Sequence, residues 1–363
     1  MTARAALRDA KRIVVKIGSS SIARSGKDRF DEVASAIVGL RRDKRSVIVV
    51  SSGAIAMGYE RLGLKTRPKA IALLQASAAS GQSQLMRAYE DAFEKHGQVV
   101  AQVLLTHADL AERERYLNAR AALEALMTHG AVPIINENDT VSVEEIKFGD
   151  NDQLAAMVAS LIGADLLVLL TDVEGLLDAS GARVAVVDDL EHASALVRPS
   201  LGEVGTGGMG SKVKAASIAS RQGAPVVVAD ARDPDILSKI VAGEDVGTLF
   251  LPHGSPMASR KHWIGFTLKP KGAILIDDGA ARAIATGRSS LLPRGVVGVR
   301  GDFESGDAVA IVGPDGKEVA RGLSRYPIFD VARLAGARTD EIETRIGRTG
   351  EDEIVHLDDL VVL

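Results

Sequence analysis

No cysteine occurs anywhere in the 363 residues. That excludes disulfides, thiolate metal sites and a thiol nucleophile, and it suits a reducing compartment. Aromatic residues make up only 3% of the chain, with a single Trp. A core must then be built mainly from Ala, Val, Leu and Ile, and the platforms on which bases stack are scarce. No apolar run approaches membrane-spanning length, and Lys16 interrupts the first one. The N-terminal segment carries charges throughout and has no signal-peptide hydrophobic region. The expectation is a cytoplasmic protein. The net charge of −4 supplies no global attraction to nucleic acid or an anionic membrane. The seven histidines are scattered, without a His-Glu-x-x-His pair, and there is no Gly-x-Ser-x-Gly elbow.

What is present is a large apolar fraction, 46%, beside 25% charged residues. This is a soluble globular composition with length for two or three domains. Strand-like runs recur at Arg12–Ile17, Val47–Val50, Val99–Leu105, Val132–Ile135, Leu166–Leu170 and Val226–Ala229. Most are continuously apolar, as strands covered on both faces of a parallel sheet must be. Helical patterns fall between them at Phe30–Arg41, Ala70–Lys95, Glu112–Thr128 and Gln153–Leu161. The alternation predicts an α/β layered sandwich. Past Lys261 the texture changes to glycine-rich sequence with short strand-like pieces at Ala273–Ile276, Gly295–Val299, Ala308–Val312 and Glu318–Ala320. Asp315-Gly316 is a hairpin signal, and Asp277-Asp278-Gly279 and Ser305-Gly306-Asp307 read as further turns. The domains expected are 1–260 and a small, mainly β domain at 272–363. A linker at 261–271 sits in a Pro-, Gly- and Ser-rich stretch.

The strands end in polar clusters. The run to Ile135 stops at Asn136-Glu-Asn-Asp139, and Asp150-Asn-Asp152 opens the helical pattern that follows. Such residues suit the mouth of a sheet and the first turn of a helix, which is where open α/β sheets bind ligands. Lys16 precedes Gly18-Ser-Ser-Ser21, and Ser51-Ser52-Gly53 ends the next strand. Small residues let backbone N–H groups approach an anion, and a lysine there is a point charge on a phosphate. Thr171-Asp172 ends another strand, with a carboxylate able to accept from a ribose hydroxyl or an adenine amino group. Gly205-Thr-Gly-Gly-Met-Gly-Ser-Lys212 precedes a helix whose free N–H groups can bind phosphate. It is not a P-loop, because the order is Gly210-Ser211-Lys212, and no apolar strand precedes it as a dinucleotide fingerprint requires. Each feature alone has a plain structural alternative: an edge lysine, a solvated acidic loop, a turn aspartate, a linker. Together, lysines beside Gly/Ser turns, a glycine-rich helix start and carboxamides at strand mouths suit phosphoryl transfer.

These residues, in this order and spacing, resemble the amino-acid kinase family, and within it the branch that phosphorylates glutamate. The matching segments are Val15-Lys-Ile-Gly-Ser-Ser20, Ser51-Ser-Gly-Ala-Ile-Ala56, Gln102–Thr106 with Arg113–Arg120, Ile135–Asp139, Gly149–Asp152, Leu170–Asp172 and Gly205–Met209 with Lys212. Residues 272–350 resemble a PUA domain. The resemblance implies a three-layer sandwich with a mainly parallel central sheet, the amino-acid kinase fold, plus a small mainly-β PUA-like domain. It implies phosphoryl transfer from ATP to L-glutamate, the first step of proline biosynthesis, with Mg²⁺ arriving on the nucleotide. Lys16 and Lys212 would stabilise the transferring group and Asp152 would orient them. Ser52, Asp139 and Asn151 would bind glutamate. Thr171 and Asp172 would contact the nucleotide, with Thr206, Gly207, Gly208, Met209, Gly210, Ser211 and Lys212 around its phosphates. No protein-bound metal site is implied. Feedback inhibition by proline, a dimer or tetramer and a downstream glutamyl phosphate reductase are further implications. Two departures are small: Gly210-Ser211 stands where Ser-Thr is commoner, and Ser51 where Thr is frequent. The charge-mixed surface of 270–350, with few aromatics, argues against RNA as a partner.

Overall fold

The computed structural model describes residues 3–19, 26–142, 151–197, 208–221, 223–253, 261, 264–265 and 268–363. The chain divides into two compact units, Met1–Pro256 and Met257–Leu363.

The first unit is organised by an eight-stranded sheet in the order β3-β4-β2-β1-β5-β7-β8-β6. Its strands are β1 (Arg12–Ile17), β2 (Ser46–Ser51), β3 (Val100–Leu105), β4 (Val132–Glu137), β5 (Leu166–Thr171), β6 (Val186–Val187), β7 (Val226–Asp230) and β8 (Thr248–Phe250). The pairs from β3 to β7 are all parallel, and only β8 turns against β7. The apolar runs are therefore central strands, as their lack of alternation requires. The polar residue ending three of the runs (Ser51, Glu137, Thr171) belongs to the strand itself.

One face of the sheet carries Ile13, Val15, Ile17, Val47, Val49, Ile134, Val168, Leu170 and Val227. It packs against helices Gly26–Arg42, Ile71–Glu94 and Ile236–Val241 through residues such as Ile37, Tyr89, Phe93 and Ile240. Side chains alternate along a strand, so Val14 and Lys16 point to the other face. Helices Asn151–Ile162, Arg113–Thr128 and Met209–Ser220 cover that side, the first against β1 and β5. Burial on both sides makes three layers, as expected.

Two local readings, one of a helix and one of a turn, differ from the structure. The run 112–128 is entered by a break: Glu112 is extended (φ −93°, ψ 125°) and its carboxylate accepts from the N–H groups of Glu114 and Arg115. A separate short helix, His107–Ala111, precedes it, closed by a reciprocal cap between Thr106 and Asp109. Asp277-Asp278-Gly279 is not a turn. Asp277 accepts from Ala280 N–H at 2.7 Å and caps helix Asp278–Ala285, because a short carboxylate serves an N-cap as well as a turn.

The second unit holds a five-stranded sheet in the order β10-β9-β11-β12-β13. The strands are β9 (Gly272–Ile276), β10 (Val296–Gly301), β11 (Ala308–Val312), β12 (Glu318–Leu323) and β13 (Leu360–Val362), with only β9 and β11 parallel. The hairpin between β11 and β12 turns at Asp315-Gly316, where Gly316 takes φ +79° and Lys317 N–H donates to the Asp315 carboxylate. Ile274, Phe303, Ile311, Tyr326, Leu334 and Val355 form its own core.

Candidate active site

Because β1, β2, β4, β5 and β7 run parallel, their C-terminal ends share one rim of the sheet. Lys16, Ser51-Ser52, Asn136-Glu137 and Thr171-Asp172 all sit on that rim. Helices Asn151–Ile162 and Met209–Ser220 begin there too.

The centre is a buried carboxylate between two ammonium groups. Asp152, fully buried in the first turn of its helix, lies 2.6 Å from Lys16 Nζ and 3.0 Å from Lys212 Nζ. Both lysines are only 4% exposed. Ser211 Oγ lies 2.9 Å from the same carboxylate. Burial alone would raise the Asp152 carboxyl, but the two ammonium groups outweigh it and hold it well below the usual carboxylate range, at about 2. Lys212 sits in the first turn of a helix, where a cation works against the helix dipole. Asp152 offsets that cost, its carboxylate contacting both Lys212 and Lys16. Gly208 caps that helix with extended backbone and, as a glycine, supplies no side-chain acceptor to the first-turn N–H groups. That is a phosphate-binding arrangement.

Beside this centre runs a chain of carboxamides. Asn151 Nδ2 donates to Ser51 O at 2.6 Å and to Asn136 Oδ1 at 2.7 Å. Asn136 Nδ2 donates in turn to Gln82 Oε1 at 2.7 Å. Ser51 Oγ shares a hydrogen bond of 2.9 Å with Tyr89 OH. Burial pushes the Tyr89 phenol up to about 12, so it stays a neutral hydroxyl. Ser52 Oγ is buried without a hydrogen-bond partner. Asp139 lies on the loop after β4, and Gln75 Nε2 holds that loop through Ser142 O at 3.1 Å. Burial raises the Asp139 carboxyl to about 6, against the opposing pull of the Arg67 guanidinium.

On the other side of the centre is a cavity of about 340 Å³, lined by Thr171, Asp172, Gly208, Met209 and Lys212 and walled by Leu176, Leu177, Leu196 and Val197. Apolar walls with a few convergent polar groups suit a planar base and its ribose.

The structure thus brings Lys16, Asp152 and Lys212 into contact and ties Asn151 to the end of β2. It places Thr171, Asp172, Gly208, Met209 and Lys212 on one cavity, and Gly210 and Ser211 in the adjoining helical turn. Thr206, Gly207, Gly149 and Asp150 lie outside the described residues. Sequence reasoning missed Gln82, Tyr89 and the apolar walls Leu196 and Val197. None sits in a motif; the only signal was helical periodicity.

Residues 11–230 match the model of the Amino acid kinase family, and residues 272–346 match that of the PUA domain. The chain belongs to the amino acid kinase family. Among its relatives, the glutamate 5-kinase of Myxococcus xanthus is 49% identical over 373 residues, covering 100% of this chain and 99% of that protein. The glutamate 5-kinase of Geobacter sulfurreducens is 47% identical, covering 97% and 98%. That of Nitrosococcus oceani is 43% identical, covering 99% of each. A kinase family implies ATP as the donor. No described helix is long and apolar enough to cross a membrane.

Proposed function

We propose that the chain transfers the γ-phosphoryl group of ATP to the side-chain carboxylate of L-glutamate, giving L-glutamyl 5-phosphate and ADP, the first step of L-proline biosynthesis. The observation that carries this is the Lys16–Asp152–Lys212 cluster, set between a nucleoside-sized cavity and a carboxamide-lined recess. The acceptor is supported by the full-length relatives named glutamate 5-kinase.

The chemistry asks for charge neutralisation and little else. A glutamate side chain has a reference pKa of about 4.3 and is already a nucleophile at neutral pH, so no general base is needed. One carboxylate oxygen attacks the γ-phosphorus in line, and the bond to the β–γ bridging oxygen breaks with its electron pair leaving on ADP. Lys16 and Lys212 offset the repulsion between the two anions and the charge spreading over the γ-oxygens. Asp152 fixes the two ammonium groups without itself meeting substrate. Ser52 and Asn151 hold the acceptor, and Asp139 takes its α-ammonium. Asp152 is committed to two lysines, so Mg²⁺ would be held by the ATP phosphates and water, its usual ligands at such sites, and would supply further neutralisation of phosphate charge. Proline carries the same α-amino and α-carboxylate groups and competes for this recess.

The test is ATP turnover with L-glutamate, L-aspartate, N-acetyl-L-glutamate and UMP, with hydroxylamine trapping any acyl phosphate. A hydroxamate from glutamate alone is expected. Turnover with another acceptor and none with glutamate would overturn the assignment of Ser52, Asp139 and Asn151.

A further inference from the structure

Two buried polar atoms beside the acceptor recess have no hydrogen-bond partner among the described residues: Ser52 Oγ and Gln82 Nε2. They come from elements that are pressed together. Gly81 of helix Ile71–Glu94 meets the short helix Ala54–Gly58 that follows β2 so closely that a Cβ there would lie 1.8 Å from Ala54 O. Gly58 makes the reciprocal contact, with a Cβ 1.8 Å from Ser77 O. Gln82 is the next residue after Gly81, and Ser52 lies two residues before Ala54. Both orphaned atoms therefore flank one glycine crossing.

Direction along the amide chain then assigns an end of the acceptor. From Asp152, where the phosphoryl group passes, the order outward is Asn151, Asn136, Gln82, with links of 2.7 Å between successive carboxamides. Gln82 is the outermost, so it faces the end of the acceptor that does not react. Its Oε1 is taken by Asn136, which fixes the amide orientation and leaves two N–H donors on Nε2. A buried N–H donor left unpaired is unfavourable, and a carboxylate is the acceptor that satisfies it best. Asp139, on the loop braced by Gln75 of the same helix, is the anion for the ammonium on the adjoining carbon.

We infer that Gln82 Nε2 donates to the non-reacting α-carboxylate of the acceptor, making Gln82 a specificity-determining residue that selects an α-amino dicarboxylate. This rests on the glutamate-phosphorylating reading above and adds to it which group reads the far end of the substrate.

The experiment compares wild type, Gln82→Glu and Gln82→Met in hydroxamate assays with L-glutamate and with its α-amide, which keeps the reacting carboxylate and the ammonium. Gln82→Glu retains an oxygen for Asn136 and replaces only the donor. Its KM for glutamate is expected to rise about 10- to 150-fold, the span of one hydrogen bond to a charged group, with kcat and the KM for ATP within about threefold. With the α-amide, the same substitution should change KM by less than about threefold, since the partner carboxylate is already gone. Gln82→Met, close in volume, should show the same collapse of the effect. An unchanged KM for glutamate in both variants, or an equal loss with both acceptors, would overturn the inference; the second result marks a structural role through Asn136. Wild-type glutamate turnover stands as a separate control, and its absence would overturn the glutamate reading and with it this role for Gln82.

Discussion

At the scale of single residues, Asp152 and its two lysines form a unit in which each member depends on the others. Lys212→Ala removes half of the charge that faces the transferring group. Turnover is expected to fall by about 10²- to 10³-fold, as for other lost transition-state donors, while the KM for glutamate stays within about threefold; an unchanged kcat would remove Lys212 from the chemistry. Asp152→Asn removes the carboxylate that two buried ammonium groups contact, a loss of about 3–5 kcal/mol, readable as a lowered chemical-denaturation midpoint. Because its carboxyl is depressed in the folded state, its contribution is complete above the unfolded value of about 3.9 and fades as pH falls towards about 2. Asp139 behaves in the opposite sense, since burial raises its carboxyl to about 6. The anion proposed to receive the substrate ammonium is lost as pH falls through that value, while the glutamate side chain remains ionised to about 4.3. The kcat/KM for glutamate should therefore decline below about pH 6, and Asp139→Asn should lower it and flatten that limb. A pH limb that survives in Asp139→Asn would assign it to another group.

At the scale of elements, the acceptor recess depends on one close crossing. Helix propensity favours Ala over Gly by about 1 kcal/mol, but a Cβ on Gly81 would occupy the space of Ala54 O. Gly81→Ala is thus expected to lower the melting temperature by several degrees, because overpacking costs about 1–3 kcal/mol. It should also raise the KM for glutamate by displacing Ser52 relative to Gln82; a higher melting temperature would show that the crossing is not constrained. This crossing also marks where sequence reading stops. The central strands were legible because burial on both faces erases alternation, and their polar ends announced the rim. β6 and β8, two and three residues long, carried too little pattern to be seen. Glu112 and Asp277 were misread because a carboxylate serves equally in a helix, a turn or a cap, and only the backbone angles decide. Gln82 lay in an unbroken helical pattern, and its meaning comes from Asn136, 54 positions away.

At the scale of the whole molecule, the proposed chemistry draws on described residues of one of the two units. Lys16, Ser52, Gln82, Asn136, Asp139, Asn151, Asp152, Thr171 and Lys212 all belong to Met1–Pro256, as does every lining residue of the cavity beside Lys212. That unit owns a continuous core between its sheet and the helices Gly26–Arg42, Ile71–Glu94 and Ile236–Val241. The second unit has a separate core, in which β9, β11 and β12 pack with Phe303, Tyr326 and Leu334. A unit with its own core can fold alone, and all the residues proposed for the chemistry lie in this one. A chain ending at Pro256 is therefore expected to unfold cooperatively and to form glutamyl hydroxamate with kcat and KM for ATP within about threefold of the full chain. Hydroxamate assays on the two forms, paired with thermal melts, decide it. A truncated chain that melts cooperatively yet has lost turnover would show that the second unit contributes to catalysis; one that does not fold would show that the first core depends on it.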